Sequence, residues 1–166
     1  MTSGIVLEFP EFITHIPVNK KKFLKIGYNS IYAGVHHSTR AALISAMHGY
    51  IEDHIDDNLT IQGPIETRLV VYAPINYGNV KLITDKKTGK KRISWNPADK
   101  DYKPNWDIFN LAAVWLKSLD DVMVKKGILP DDTVEHLIKG SYEFVPITHL
   151  KDRKLVYYLK TIRKRR

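Results

Sequence analysis

Apolar positions along this chain fall into short blocks that follow two different periods. Ile5-Val-Leu-Glu-Phe9 reads as a strand closed by Pro10, and Phe23 to Tyr28 as a second strand. After Ser38, a suitable N-cap, Leu43, Met47, Tyr50 and Ile51 recur at helical spacing, and Ile55 extends that face. Arg68-Leu-Val-Val-Tyr-Ala73 is rich in β-branched and aromatic residues and stops at Pro74, which marks a buried strand. Val80 to Ile83 and Arg92 to Trp95 flank Thr88-Gly89, the pattern of an exposed hairpin. A long helix covers roughly Trp106 to Lys125, closed by Gly127. Strands near Tyr142 to Ile147 and Leu155 to Thr161 complete the set.

At about 100° per residue the long helix sorts into two faces. Leu111, Ala112, Trp115, Leu116, Leu119, Val122 and Met123 form a broad apolar face suited to a sheet. Asp107, Asn110, Val114, Lys117 and Asp121 lie along a narrow strip opposite. Strands grouped around two helices, without regular βαβ alternation, predict an α+β fold. The expected architecture is a single domain over residues 1–166, with a small mixed sheet packed against two main helices. A basic hairpin insertion is expected near 78–97 and a basic tail at 162–166.

Composition narrows the class. At 166 residues the chain can bury a core without staples, and having no Cys it can form neither disulfides nor thiolate metal sites. It contains no run of about 18 apolar residues, and its first residues lack the basic-then-apolar layout of a signal peptide. A cytoplasmic protein with no membrane span is the expectation. Lys and Arg outnumber Asp and Glu by 26 to 18, a net charge of +8. Such an excess favours polyanions through counterion release. Three clusters supply much of it: Lys20, Lys21, Lys22 and Lys25; Lys86, Lys87, Lys90, Lys91 and Arg92; and Arg163 to Arg166. Each is also what a solvated loop or terminus looks like, but three in one small domain point to nucleic acid.

Against that basic background, carboxylates gather at two places. Asp107 stands at the start of the long helix, where the dipole keeps a carboxylate ionised, and Asp131-Asp132 follow Pro130 after it. A capping residue and a soluble turn would look the same. Hard oxygen ligands at a helix start and a nearby loop would suit Mg²⁺ or Mn²⁺, and Lys117 could offset charge on a phosphate. His36-His37 beside Arg40 could contact phosphate or move a proton; adjacent side chains diverge, so the pair does not chelate one ion. The other histidines show no zinc spacing, and no Walker loop, nucleophile elbow or dinucleotide glycine motif is present.

The pattern resembles the RusA-type Holliday junction resolvases, many of them encoded by phages. Members carry Asp-x-Asp-Asn opening a helix, then a Lys, then a paired Asp-Asp. Asp107-Ile108-Phe109-Asn110 stands at the first motif and Asp131-Asp132 at the last. Gly127 to His136 resembles the segment after the family's helix, and Asn29 to Arg40 its early loop. The likeness touches residues 29–55 and 104–147. Two positions depart from it: Phe109 replaces the second Asp, and Ala113 replaces the usual Lys. Lys117 lies one turn later, on nearly the same face and at the family's spacing from Asp132, so the Lys role is carried there. Asp121 lies about 20 Å along the helix from Asp107, which leaves Asp131 as the substitute for the missing carboxylate.

The resemblance implies a Mg²⁺-dependent endodeoxyribonuclease, active as a homodimer on four-way DNA junctions. Asp107, Asp131 and Asp132 would hold the metal, with Lys117 and Asn110 completing the catalytic set. His36, His37, Arg40, Lys86, Lys87, Lys90, Lys91 and Arg92 would contact DNA. The alternative is a catalytically degenerate, junction-binding relative, because Phe109 removes a ligand without removing phosphate contacts.

Overall fold

Strand-forming and helix-forming segments separate cleanly along the chain, and the β-branched blocks meet in one sheet. The computed structural model describes residues 4–10, 14–19, 22–27, 36–75, 81–94, 107–133 and 135–162. Lys20, Lys21, Tyr28, residues 29–35, Trp95, Trp106 and the tail 163–166 lie outside the described residues. In chain order the elements are β1 (Gly4–Pro10), β2 (His15–Asn19), β3 (Lys22–Lys25), α1 (His37–Glu52) and β4 (Ile65–Ala73). Then come β5 (Lys81–Thr84), β6 (Lys91–Ser94), α2 (Ile108–Lys125), β7 (Leu137–Pro146) and β8 (Lys154–Thr161).

The main sheet has four strands in the order β1-β8-β4-β7. β8 runs antiparallel to both β1 and β4, whereas β4 and β7 are parallel. This is the expected α+β arrangement, a mixed sheet with two helices. β2–β3 and β5–β6 form separate two-stranded ribbons. No helix among the described residues is long and apolar enough to cross a membrane.

The two-residue period of the strands divides the sheet into two faces. Ile65, Thr67, Leu69, Val71 and Ala73 of β4 are buried, as are Leu155, Tyr157 and Leu159 of β8. Leu69 stands opposite Tyr157 in register. Against this face α1 buries Leu43, Met47 and Ile51, and α2 buries Leu111, Ala112, Trp115, Leu119, Val122 and Met123. The apolar positions read from the sequence are thus the ones that pack.

Four local expectations change. The N-cap of α1 is His36 rather than Ser38: its Nδ1 accepts from Ser38 N at 3.3 Å and pairs with Ser38 Oγ at 2.8 Å. α2 starts at Ile108, because Asp107 takes the N-cap position in extended conformation. Val114 is buried rather than on the polar strip. One turn on, Ser118 Oγ lies 3.9 Å from Met47 Sδ, so the flank of α2 that carries Val114 and Ser118 packs on α1. Finally, β2 contains Pro17, which removes a ladder donor, and the β2–β3 register is irregular there.

Candidate functional site

The chain turns back on itself after α2, and that reversal builds the site. Gly127 has φ 69°, a left-handed conformation that a side chain would strain. Its N–H donates to Val124 O and that of Ile128 to Met123 O, each at 2.9 Å. These two bonds are the Schellman pairing, which ends a helix and reverses the chain. Ile128 and Leu129 are then buried, which ties the returning strand of chain to the core. Pro130 stays exposed, and Asp131-Asp132 follow it back along the helix.

Lys117 is where they meet. Its ammonium donates to Asp132 Oδ2 at 2.5 Å and to Asp121 Oδ1 at 2.7 Å. Hydrogen bonds from Asp121 first, then Asp132, hold the Lys117 amine above its usual range. The same bond from Lys117 holds the Asp132 carboxyl below the ordinary carboxylate range. Asp131 Oδ1 accepts from Asp132 N at 2.7 Å, which fixes the returning turn.

Asp120 belongs to the same cluster and behaves in the opposite way. Burial pushes its carboxyl up to about 6, and the neighbouring charges of Asp132 and Asp121 push the same way. A hydrogen bond donated by Tyr157 Oη, at 2.5 Å, opposes that rise. Tyr157 is fully buried on β8, and its own ionisation is pushed up by burial and by Asp120. Asp120, held by Tyr157, and Asp132, held by Lys117, are thus shifted in opposite directions within one cluster.

From α1, His48 Nε2 comes to 4.0 Å from Asp121 Oδ2. This nitrogen is buried and has no hydrogen-bond partner among the described residues. Burial lowers the imidazole's proton affinity more than Asp121 raises it. Asp120, Asp121 and His48 carry no motif. Asp120 meets Tyr157 and Asp121 meets His48 only through the apposition of α1, α2 and β8, whereas the bond of Asp121 to Lys117 is local to α2. The one signal for Asp121 was its place on the strip with Lys117.

Asp107 does not join this cluster. Its side chain accepts from Phe109 N at 2.9 Å and caps α2. Ten residues separate it from Lys117, about 15 Å along the axis at 1.5 Å per residue. Lys117 also reaches forward to Asp121, which holds Asp132 at that end of the helix. Asp107, expected to share an ion with Asp132, has no contact with Asp132 among the described residues, and one of its carboxylate oxygens serves as the cap of α2. Asn110 stays half-buried on the first turn of α2. Phe109 is 53% exposed and tilts against Tyr142, ring centroids 6.0 Å apart.

The other expected residues spread over the surface. His36 and His37 are exposed at the start of α1, with Arg40 half-buried one turn on. Lys86, Lys87, Lys90, Lys91 and Arg92 are exposed on the β5–β6 hairpin. The hairpin's strands lie within one residue of the expected ones.

The cluster offers hard carboxylate oxygens of the kind that divalent cations take. Asp121 and Asp132 already point oxygens at one positive centre, the Lys117 ammonium, and Asp131 adjoins them. No ready-made group of three or more metal-ligating His, Asp or Glu side chains occurs among the described residues. A metal would take its place by moving the ammonium aside. Neither a scan of protein-family models nor a search of curated proteins returns a match to this chain.

Proposed function

We propose that the protein is a metal-dependent endodeoxyribonuclease of the RusA type, cutting four-way DNA junctions in the cytoplasm as a homodimer. One observation carries this reading: Lys117 joins Asp121 and Asp132, beside Asp120, in a chain of net charge +8. The motif resemblance around Asp131-Asp132 supports it. Two symmetric cuts require two active sites, hence a twofold dimer.

Asp132, with Asp131 and Asp121, would hold Mg²⁺ or Mn²⁺. A bound ion would polarise the scissile phosphate and acidify a water. The chain's own residues supply the rest. Lys117, released from its carboxylates, offsets negative charge gathering on the phosphate oxygens. Asp120 keeps a proton available near neutral pH, and Tyr157 fixes the orientation of its carboxyl. The basic hairpin and the His36, His37 and Arg40 turn contribute phosphate contacts.

Incubation with synthetic four-way junctions and Mg²⁺ tests the proposal. Paired nicks that disappear in Lys117→Ala while junction binding persists are the expected result. Binding without nicking, over a range of divalent ions, would overturn the enzymatic reading.

A second reading, a junction-binding relative without activity, is favoured by one feature. The helix start that carries acids in the resembled family here has a capping Asp107 and an aromatic Phe109 tilted against Tyr142. Restoring the acid, Phe109→Asp, separates the two: cleavage that appears only in that variant would favour the degenerate relative.

A further inference from the structure

The β5–β6 hairpin displays its cations outward, with only Arg92 under the distant influence of a carboxylate, that of Asp85. Asp85 N donates to Lys90 O at 2.8 Å and Gly89 N to Asp85 O at 2.9 Å, which closes a loop over Lys86 to Gly89. Gly89 has φ 66°, the left-handed step such a loop requires. The Asp85 carboxylate accepts from Lys87 N at 2.8 Å and Thr88 N at 2.9 Å. These backbone donors, Thr88 first, hold it below its usual range. The loop's one acid is thus turned onto its own backbone. The ion pairs among the described residues all lie elsewhere, leaving Lys86, Lys87, Lys90, Lys91 and Arg92 unneutralised by a carboxylate contact.

Register decides how these charges are displayed. Ile83 pairs with Arg92 and Thr84 with Lys91. Successive residues of a strand point to opposite faces, so Lys91 and Arg92 stand on opposite sides of the ribbon. Lys86, Lys87 and Lys90 surround its tip. Among the described elements the two strands pack chiefly on each other, so the ribbon is held by its own ladder and turn.

We infer that this hairpin enters the major groove of a duplex arm, its two charged faces meeting the phosphates on either wall. The inference rests on DNA being the partner proposed above. A ribbon lying along a single backbone would need cations on one face only. Two strands about 4.8 Å apart, with their side chains, match a groove about 12 Å wide and exceed one of about 6 Å. Strands of four residues extend roughly 13 Å, enough for a groove about 8.5 Å deep.

Dimethyl sulfate probing of the full chain on a synthetic four-way junction distinguishes the grooves, since guanine N7 lies in the major groove and adenine N3 in the minor. The expected result is N7 protection on an arm, lost when Lys86, Lys87 and Lys90 are together replaced by Ala. In parallel, Lys91→Ala and Arg92→Ala, taken singly, should each lower the salt-dependence slope of binding by about 0.9 for every hairpin engaged, about 1.8 for a dimer with both hairpins bound. Circular dichroism should match the native chain in all variants, because the substituted side chains are exposed and the two strands pack chiefly on each other. Unchanged N7 protection, protection confined to adenine N3, or a slope change in only one of the two single variants would overturn the inference. If those results come with intact junction binding, this inference alone falls. A native chain that binds neither junction nor duplex overturns the DNA reading and this inference with it.

Discussion

The Lys117 ammonium lies 2.5 Å from an Asp132 carboxylate oxygen, although fifteen residues separate the two in sequence. The contact exists because Gly127 reverses the chain, and because buried Ile128 and Leu129 hold the returning segment against the helix. It joins the middle of α2 to the following loop at a point where Asp120, Asp121 and His48 also gather.

If the contact served stability, removing it should cost a great deal. The two side chains are 54% and 34% exposed, and exposed pairs contribute about 0–1 kcal/mol. A double-mutant cycle with Lys117→Met and Asp132→Asn, followed by denaturant unfolding, should give a coupling below about 1 kcal/mol at pH 7. Lys117 holds the Asp132 carboxyl low, so this contribution is present above its unfolded pKa, about 3.9, and fades as pH falls through the folded value. A coupling of several kcal/mol would make the cluster a structural clamp.

Asp120 should show the opposite pH dependence. Its affinity for a proton is raised on folding, to about 6, so the folded chain binds more protons than the unfolded one between about pH 4 and 6. Stability linked to this group is present below that window and falls as pH rises through it. Asp120→Asn should therefore be more stable than the native chain at pH 7.5, by up to about 3 kcal/mol. It should lose that advantage at pH 4. Tyr157→Phe, which removes the bond opposing the rise, should shift the window upward. Equal pH profiles for native chain and Asp120→Asn would count against the assignment.

Replacing Gly127 should weaken both helix end and site. A Cβ there would meet nothing within 4 Å, so the cost of Gly127→Ala is backbone strain alone, about 1–2 kcal/mol. Gly127→Asn, better suited to the left-handed region, should cost less. Thermal unfolding of the two variants checks the order, and a neutral Gly127→Ala would contradict the role given to the turn.

Much of this was legible in the sequence, for physical reasons specific to each element. α2 shows a strong 3.6-residue apolar period with a glycine stop, so its face and its end could be read directly. β4 and β8 are dense in β-branched and aromatic residues and fill the middle of the sheet. β2 was not legible, since Pro17 argues against a strand and only the ribbon with β3 accommodates it. The α1 cap was misplaced by two residues, because a histidine nitrogen caps in place of the serine hydroxyl. In the site, Lys117, Asp131 and Asp132 could be picked out by order and spacing. Asp120 could not, since what marks it is a tyrosine on β8, 37 residues away. Asp107 was legible as a carboxylate at a helix start, cap or ligand, and the sequence alone does not separate the two, because both roles want the same residue in the same place.

In the proposed nuclease the cleavage centre lies at Lys117, midway along α2, and not at the helix start. Single-turnover cleavage of a four-way junction with Mg²⁺, comparing Asp132→Asn with Asp107→Ser, tests it most directly. Serine keeps the helix cap while removing the carboxylate. Cleavage near the native rate is expected in Asp107→Ser and none above background in Asp132→Asn, with both variants binding the junction. Cleavage lost in Asp107→Ser and retained in Asp132→Asn would contradict it.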